Sequence, residues 1–361
     1  MQRILTAVAL AGLVLASCGG DDDTATTTAP AVTEPSTTAA PVVTDPAGTD
    51  PVPPAESAFP VTVEHAFGGT TIEAEPTRVV TVGLTEHDTV LALGVAPVGV
   101  TEWYGGQPYA TWPWAQDELG DAQPEVLTTE DGINYERVAM LDPDLIIGTN
   151  AGLDERAYAT LSAIAPTVAH PIGAPPYFGP WGDQARLIGA ALGRSAELDA
   201  VMADIDAQFA AARTAHPEFE GVSAIFLQNA FYDGHAIAYQ EGLSTEFLTD
   251  LGFVVPAELD EFATDGQAFI PMERLPVLDS GDVLLWATEG PDDRGQLETE
   301  PLYNALEAVQ NGQLVFTDGV TAGAIYFTSP LSLPFVLEQV VPAFASTLAG
   351  EGPATIDALA G

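Results

Sequence analysis

Five tryptophans, Trp103, Trp112, Trp114, Trp181 and Trp286, and five tyrosines, Tyr104, Tyr109, Tyr177, Tyr232 and Tyr326, fall in or beside segments that follow apolar runs and are mostly rich in Gly and Pro. Core packing would place aromatics inside helices and strands, as with Phe209 and Phe226. Rings displayed on loops instead suit a large, partly apolar ligand held by a few polar groups. Polar candidates in the same segments are Thr85, Glu86, Gln228, Asn229 and Arg294. The Arg294 guanidinium can meet an anion bidentately or pair locally with Asp292 or Asp293. This is the chemistry of binding, not of bond making. The chain has no GxSxG elbow, no P-loop and no GxGxxG at a strand-helix junction, so no enzyme is expected. Its histidines, His65, His87, His170, His216 and His235, show no HxH or HxxxH spacing. His87 and His170 do fall near the aromatic loops, which keeps a bare zinc or manganese site open as a rival reading.

The elements that must position these residues announce themselves by repetition. INYERVAMLDPDLIIGT (133–149) is echoed by IPMERLPVLDSGDVLLWAT (270–288). Each copy has a Glu-Arg pair (Glu136-Arg137, Glu273-Arg274), a short apolar turn, Leu-Asp, and an Asp leading an unbroken apolar run. Each predicts a short helix, a turn and a strand covered on both faces. Two copies predict two lobes on one plan, each with an exposed Glu at a corresponding place. Around them strands and helices alternate, which predicts α/β lobes with largely parallel sheets. SAELDAVMADIDAQFAAARTA keeps helical apolar spacing from a Ser195 cap to the stop at His216-Pro217. At 1.5 Å per residue it is roughly 30 Å long, enough to join two lobes. The expected architecture is two Rossmann-like α/β lobes, 58–194 and 217–361, joined by one long helix, 195–216, with a ligand cleft between them at the carboxyl ends of the strands. QNAFYDGHA and GVTAGAIYFTSP are expected as loops on that cleft. A helix is expected around 297–309, and a closing helix from about 331 to 348 in which Pro334 fits the first turn and Pro342 produces a kink.

Charge excludes other partners. Fifty-two acidic residues face nine basic ones, all Arg, for a net charge of -43 in 361 residues. Nucleic-acid phosphates and anionic lipid surfaces both repel such a chain. Residues 1–17 read as a signal peptide, with Arg3 ahead of an apolar core too short to span a bilayer. Leu15-Ala16-Ser17-Cys18 resembles a bacterial lipobox, which predicts lipidation at Cys18, the single Cys of the chain, and so a membrane tether by acyl chains alone. Residues 18–57 are mostly Thr, Ala, Pro, Asp and Val without an aromatic, a stalk that cannot bury enough surface to fold.

With lipobox and stalk, RVVTVGLTEHDTVLALGVAPVGV, the two Glu-Arg units, the bridging helix and YFTSPLSLPFVLEQVVPAF, residues 58–350 resemble the substrate-binding lipoproteins of bacterial ABC importers, in the group that binds iron-siderophore complexes and cobalamin. TEWYGGQPYATWPWA followed by INYERVAMLDPDLIIGTN is similar to its iron-siderophore branch. The resemblance implies a monomer, exported and anchored at the outer face of the cytoplasmic membrane. It would capture a siderophore complex that carries Fe(III) and dock to permease subunits through Glu136 and Glu273. Cobalamin, haem, a bare metal ion, or a stand-alone sensor or surface lipoprotein are the alternatives. The shortage of basic residues favours a neutral hydroxamate-type complex over anionic catecholate or citrate complexes.

Overall fold

Apolar runs with no polar face become the central strands, and their two faces explain nearly all of the core. The computed structural model describes residues 58–129, 132–264 and 266–358. The segments expected as signal peptide and stalk, and Cys18 with them, therefore lie outside the described residues. Residues 56–361 form one compact unit.

The first lobe opens with the hairpin β1 (Val61–His65) and β2 (Gly68–Ile72). Then come β3 (Val79–Thr81), α1 (Glu86–Ala92), β4 (Gly99–Glu102), α2 (Gln116–Leu119), β5 (Glu125–Thr128), α3 (Tyr135–Met140), β6 (Leu145–Gly148), α4 (Glu155–Ser162), β7 (Thr167–Ala169) and α5 (Trp181–Ala191). The five strands β3 to β7 form a fully parallel sheet in the order β5-β4-β3-β6-β7. Successive side chains of a strand point to opposite faces. Val79, Leu145 and Ile147 accordingly enter one core with α5 residues Ala185 and Ile188, while Val80 and Ile146 enter another with Val138 and Leu161. Each such fully buried aliphatic side chain contributes about 1.5–3 kcal/mol.

The helix α6 (Ser195–Ala215) is 21 residues long. Its Leu198 belongs to the first lobe's core and its Ile205 and Phe209 to the second's. Ser195 is its first helical residue and makes no side-chain cap, Arg194 holding the cap position.

The second lobe contains β8 (Ala224–Tyr232), β9 (His235–Tyr239), α7 (Glu246–Asp250), β10 (Ala263–Thr264), β11 (Gln267–Pro271), β12 (Val283–Ala287), α8 (Pro291–Thr299), α9 (Pro301–Asn304), α10 (Glu307–Gln310), β13 (Leu314–Phe316), α11 (Gly319–Phe327), α12 (Ser332–Leu348) and β14 (Ala354–Thr355). The sheet order is β10-β11-β9-β8-β12-β13-β14. Strands β8, β12, β13 and β14 run parallel, while β9 and β11 run antiparallel to their neighbours.

Three expectations are corrected. QNAFYDGHA is not a loop: β8 runs through it and turns back as β9, with a register shift between Leu227 and Phe231. GVTAGAIYFTSP is mostly the helix α11, capped by the Asp318 carboxylate on the Thr321 N–H. The helix expected around 297–309 is broken into α8, α9 and α10, with Pro301 and the extended Glu300 ending the first.

The repeat has a mechanical basis. Asp144 accepts the backbone N–H groups of Thr77 and Arg78, both at 2.8 Å, at the head of β3. Asp282 accepts the Ser223 N–H at 2.9 Å at the head of β8. Each Asp ties its own strand to the first strand of its sheet. The copies differ where Pro276 denies an N–H to the second, so residues 272–280 wind as a 3-10 run while the first copy forms α3.

Candidate functional site

In the five-stranded sheet the earliest strand in sequence, β3, lies between β4 and β6, so connections leave in opposite directions at the carboxyl ends of β3 and β6. A crevice opens at such a point. Gly83 follows β3, and the Glu86 carboxylate folds back over it: a Cβ at Gly83 would lie 2.0 Å from Glu86 Oε1. Glu86 accepts the N–H of Asn150 at 2.8 Å and of Thr85 at 3.1 Å. Burial pushes this carboxyl up to about 7 against the pull of those amides. Glu86 thus holds the two loops together, and its carboxylate is spent on backbone instead of facing a ligand. The Asn150 side chain extends the bracket, donating to Thr85 Oγ1 at 3.0 Å and accepting the Phe178 N–H at 2.7 Å. Phe178, at φ 50°, presents a half-exposed ring beside Tyr177, itself exposed. A bulky residue held in this sparsely populated region marks a segment positioned by its surroundings.

The aromatic loop after β4 meets the second lobe around one side chain. Phe327, the last residue of α11, lies 5.5 Å from the Trp103 ring, 5.9 Å from Trp112, 5.2 Å from Trp114 and 5.7 Å from His87. Trp112 stacks on Trp114 at 5.0 Å and 14°. Gly323 of α11 admits the Trp112 ring, which would stand 2.7 Å from any Cβ there. Beneath the rings, buried Asp88 of α1 accepts from Trp114 Nε1 at 2.8 Å and from the hydroxyl of Ser329, across the lobe boundary. Burial pushes Asp88 up to about 6 and the neighbouring His87 down to about 4.

The opposing wall comes from the second sheet. Tyr326 donates to Asn229 Oδ1 and Tyr239 to Gln228 Oε1, each at 3.4 Å, and Gln267 donates to the same Gln228 oxygen at 3.4 Å. Asn229 sits at φ 42° within the β8 irregularity, which re-aims its side chain. Tyr104 of the first lobe faces this wall. Burial first, then the charge of Glu289 and the Tyr239 phenol, push the Tyr104 hydroxyl up, and that hydroxyl is buried without a hydrogen-bond partner among the described residues.

The structure thus gathers Thr85, Trp103, Tyr104, Trp112 and Tyr177 on one side and Gln228, Asn229 and Tyr326 on the other. Others it sends elsewhere. Trp286 is fully buried, because in β12 it points with Leu284 to the outer core and packs edge-on against Tyr303 and Phe231. Arg294 pairs with Glu298 at 2.7 Å, donates to Thr355 at 2.8 Å and covers the Phe316 ring, so it is spoken for locally. Trp181 lines a separate pocket against α6 with Ile205, Phe209 and Thr328. Tyr232, 62% exposed, ends β8 four residues past Gln228, about 13 Å along the strand. Tyr109 is exposed in a turn at φ 57°. His87 and His170 are buried apart, His87 against Phe327 and His170 against Phe67. Among the described residues no three His, Cys, Asp or Glu side chains gather where a metal ion could be held.

Residues the sequence reading passed over include Asn150, Phe178, Phe327, Tyr239, Asp88 and Ser329. Asn150 was legible as the polar residue ending the apolar run LIIGTN. Phe327 was hidden because its segment read as a loop.

Glu136, in the first turn of α3, and Glu273, at the start of the 3-10 run, are both exposed. Their neighbours take the ion pairs: Arg137 with Glu125, and Arg274 with Glu261 through two bonds of 3.0 and 2.8 Å.

Comparison with known proteins agrees with this architecture. The family model described as periplasmic binding protein matches residues 79–321. A probable siderophore-binding lipoprotein of Bacillus subtilis, YfiY, is 30% identical over 73% of this chain and 83% of its own length. The crystal structure of a periplasmic solute binding protein from Mycobacterium smegmatis aligns with a TM-score of 0.76 at 45% identity, over 80% of this chain and 98% of that one. Streptococcus pneumoniae PiaA in complex with ferrichrome aligns with a TM-score of 0.67 at 26% identity, over 80% of this chain and 99% of that one. With two α/β lobes whose strand ends converge on one aromatic-lined face, the chain belongs to the periplasmic binding protein family.

Proposed function

We propose that this protein is an extracytoplasmic solute-binding lipoprotein that captures a ferric-siderophore complex and delivers it to an ABC importer. One observation carries the reading: aromatic faces and hydrogen-bonding amides and phenols from both lobes converge at the carboxyl ends of the two sheets. Trp103, Tyr177 and Phe178 offer ring faces, while Gln228, Asn229 and Tyr326 offer donors and acceptors. That combination suits a ligand with an apolar skeleton and an outer shell of oxygen atoms. YfiY, a probable siderophore-binding protein, and PiaA, solved with ferrichrome, support the same class. In this reading the iron is cargo and stays in its chelator. Cys18 carries the lipid anchor, and Glu136 and Glu273, exposed and free of ion pairs among the described residues, dock to basic residues of the permease.

The test is a tryptophan-fluorescence titration of the full chain with ferric hydroxamate, ferric catecholate, ferric citrate, haem and cobalamin. Trp103 borders the site, with Trp112 and Trp114 in the ring cluster behind it, so a true ligand quenches saturably, with a Kd on the order of a micromolar or below. Saturation by haem or cobalamin alone would replace the siderophore reading, and silence from a folded sample would remove it.

A further inference from the structure

The positive charges of this chain are nearly all committed away from the site. Eight of the nine arginines lie among the described residues, and there is no Lys. Arg78 donates to the carbonyls of Leu141 and Asp142 at the far end of the first sheet. Six more are paired with a carboxylate, Arg137, Arg186, Arg194, Arg213, Arg274 and Arg294. Arg156, exposed on the first turn of α4, is the one uncommitted arginine among the described residues, and it sits beside Asp154 and Glu155, so its charge is offset where it stands. The buried His87 is held neutral and supplies no cation.

The carboxylates are disposed the other way. Glu289 follows β12 at its carboxyl end, exposed and without an ion pair among the described residues. Glu289 lies two residues past Ala287, which is in register with Gln228, and its backbone touches Gly319 at the start of α11, so it stands at the rim of the second-lobe wall; its charge is one of the influences that push the Tyr104 and Tyr326 hydroxyls up. Asp293, which accepts the Glu289 N–H at 2.8 Å, acts on Tyr326 as well. Glu102 ends β4 on the first-lobe side. Half-exposed rings at Tyr177 and Phe178, with Trp103 against Phe178, present π faces that attract cations.

We infer that the cleft takes a ferric complex bearing positive charge, in chemical class one with a pendant ammonium, and that Glu289 is the specificity residue that meets that charge. The inference rests on the ferric-siderophore reading above and goes beyond the neutral complex expected from composition. A net charge of -43 adds long-range attraction for the same ligand and repulsion for anionic chelates.

The experiment compares three iron complexes on the full chain at low and moderate salt: an ammonium-tailed ferric trihydroxamate, the same chelator N-acetylated so that it is neutral, and ferric citrate. The cation should bind about tenfold more tightly than its acetylated form at low salt, the scale of two partly exposed charge contacts, with the gap narrowing as salt rises. Glu289→Gln, checked by an unchanged melting temperature, should cut the ratio of the two affinities to about threefold or less, as loss of one such contact predicts. Equal binding of the cation and its acetylated form, or tightest binding of ferric citrate, overturns the inference and leaves the ferric-siderophore reading intact. Silence from all three overturns both.

Discussion

Asp88 shows how a single buried carboxylate can couple two lobes and make them answer to pH. Its ordinary value lies near 4, and burial raises it in the folded state to about 6, while Glu86 rises to about 7. A group with a raised folded value holds its proton more tightly folded than unfolded. Its favourable contribution is therefore complete below the unfolded value and is lost as pH rises through the folded one. His87, lowered to about 4, works oppositely: stability is lost as pH falls from 6.5 toward 4. Facing Asp88 are Trp114 Nε1, the Ser329 hydroxyl and His87 Nε2 at 3.6 Å. Asp88→Asn removes one of the two carboxylate contributions and keeps an acceptor for Trp114 and Ser329. Relative to wild type, the variant should gain on the order of 1 kcal/mol of stability between pH 5 and pH 8. Thermal melts of both proteins across that range check it, and parallel curves would show that Asp88 does not titrate there.

At the scale of elements, the first sheet was readable because its strands are covered on both faces and appear as apolar runs: Asp144-Leu-Ile-Ile could hardly be anything else. The antiparallel half of the second sheet was not. QNAFYDGHAIAYQ mixes amides, Gly and aromatics: Gln228, Asn229 and Tyr239 meet at the site while Phe231 and three alanines pack on the outer core, and the register shift in β8 breaks the alternation that identifies a strand. Segment 319–327 misled for a related reason: Gly319, Gly323 and the β-branched residues lower helix propensity, yet Gly323 is small because the Trp112 ring lies against it. Trp286 misled in reverse, since an aromatic near the end of a strand looks the same in sequence whichever face it takes. Of the site itself, residue types and their grouping on strand ends were legible; which rings crossed the lobe boundary depended on tertiary contacts with no local signature. Gly323→Ala tests that contact. A methyl 2.7 Å from Trp112 must displace the ring or the helix, which should cost about 1–3 kcal/mol, although Ala favours helices over Gly. Urea unfolding measures it, and a stabilised variant would show that the interface gives way easily.

For the molecule as a whole, the arrangement is one of two similar lobes with separate cores, held by a helix whose residues belong to both and by a ring cluster around Phe327. The duplicated glutamates belong to this scale, because Glu136 and Glu273 lie one on each lobe, as the proposed docking to a permease requires. Glu136→Arg with Glu273→Arg should leave ferric-complex affinity within about twofold while lowering iron uptake by tenfold or more, since on the proposed docking surface reversal of exposed charges acts on partner association. Radioactive-iron uptake in cells, set beside the binding titration, separates the two effects; normal uptake would remove both residues from the docking surface. The stacked pair of Trp112 and Trp114 has a consequence of another kind. Two indoles 5.0 Å apart and nearly parallel couple their electronic transitions, and the second lobe wedges that pair through Phe327 and Gly323. The protein therefore carries a built-in chiroptical gauge: loosening of one lobe from the other would withdraw that wedge and free the indoles to reorient, so the exciton signal should change without a label.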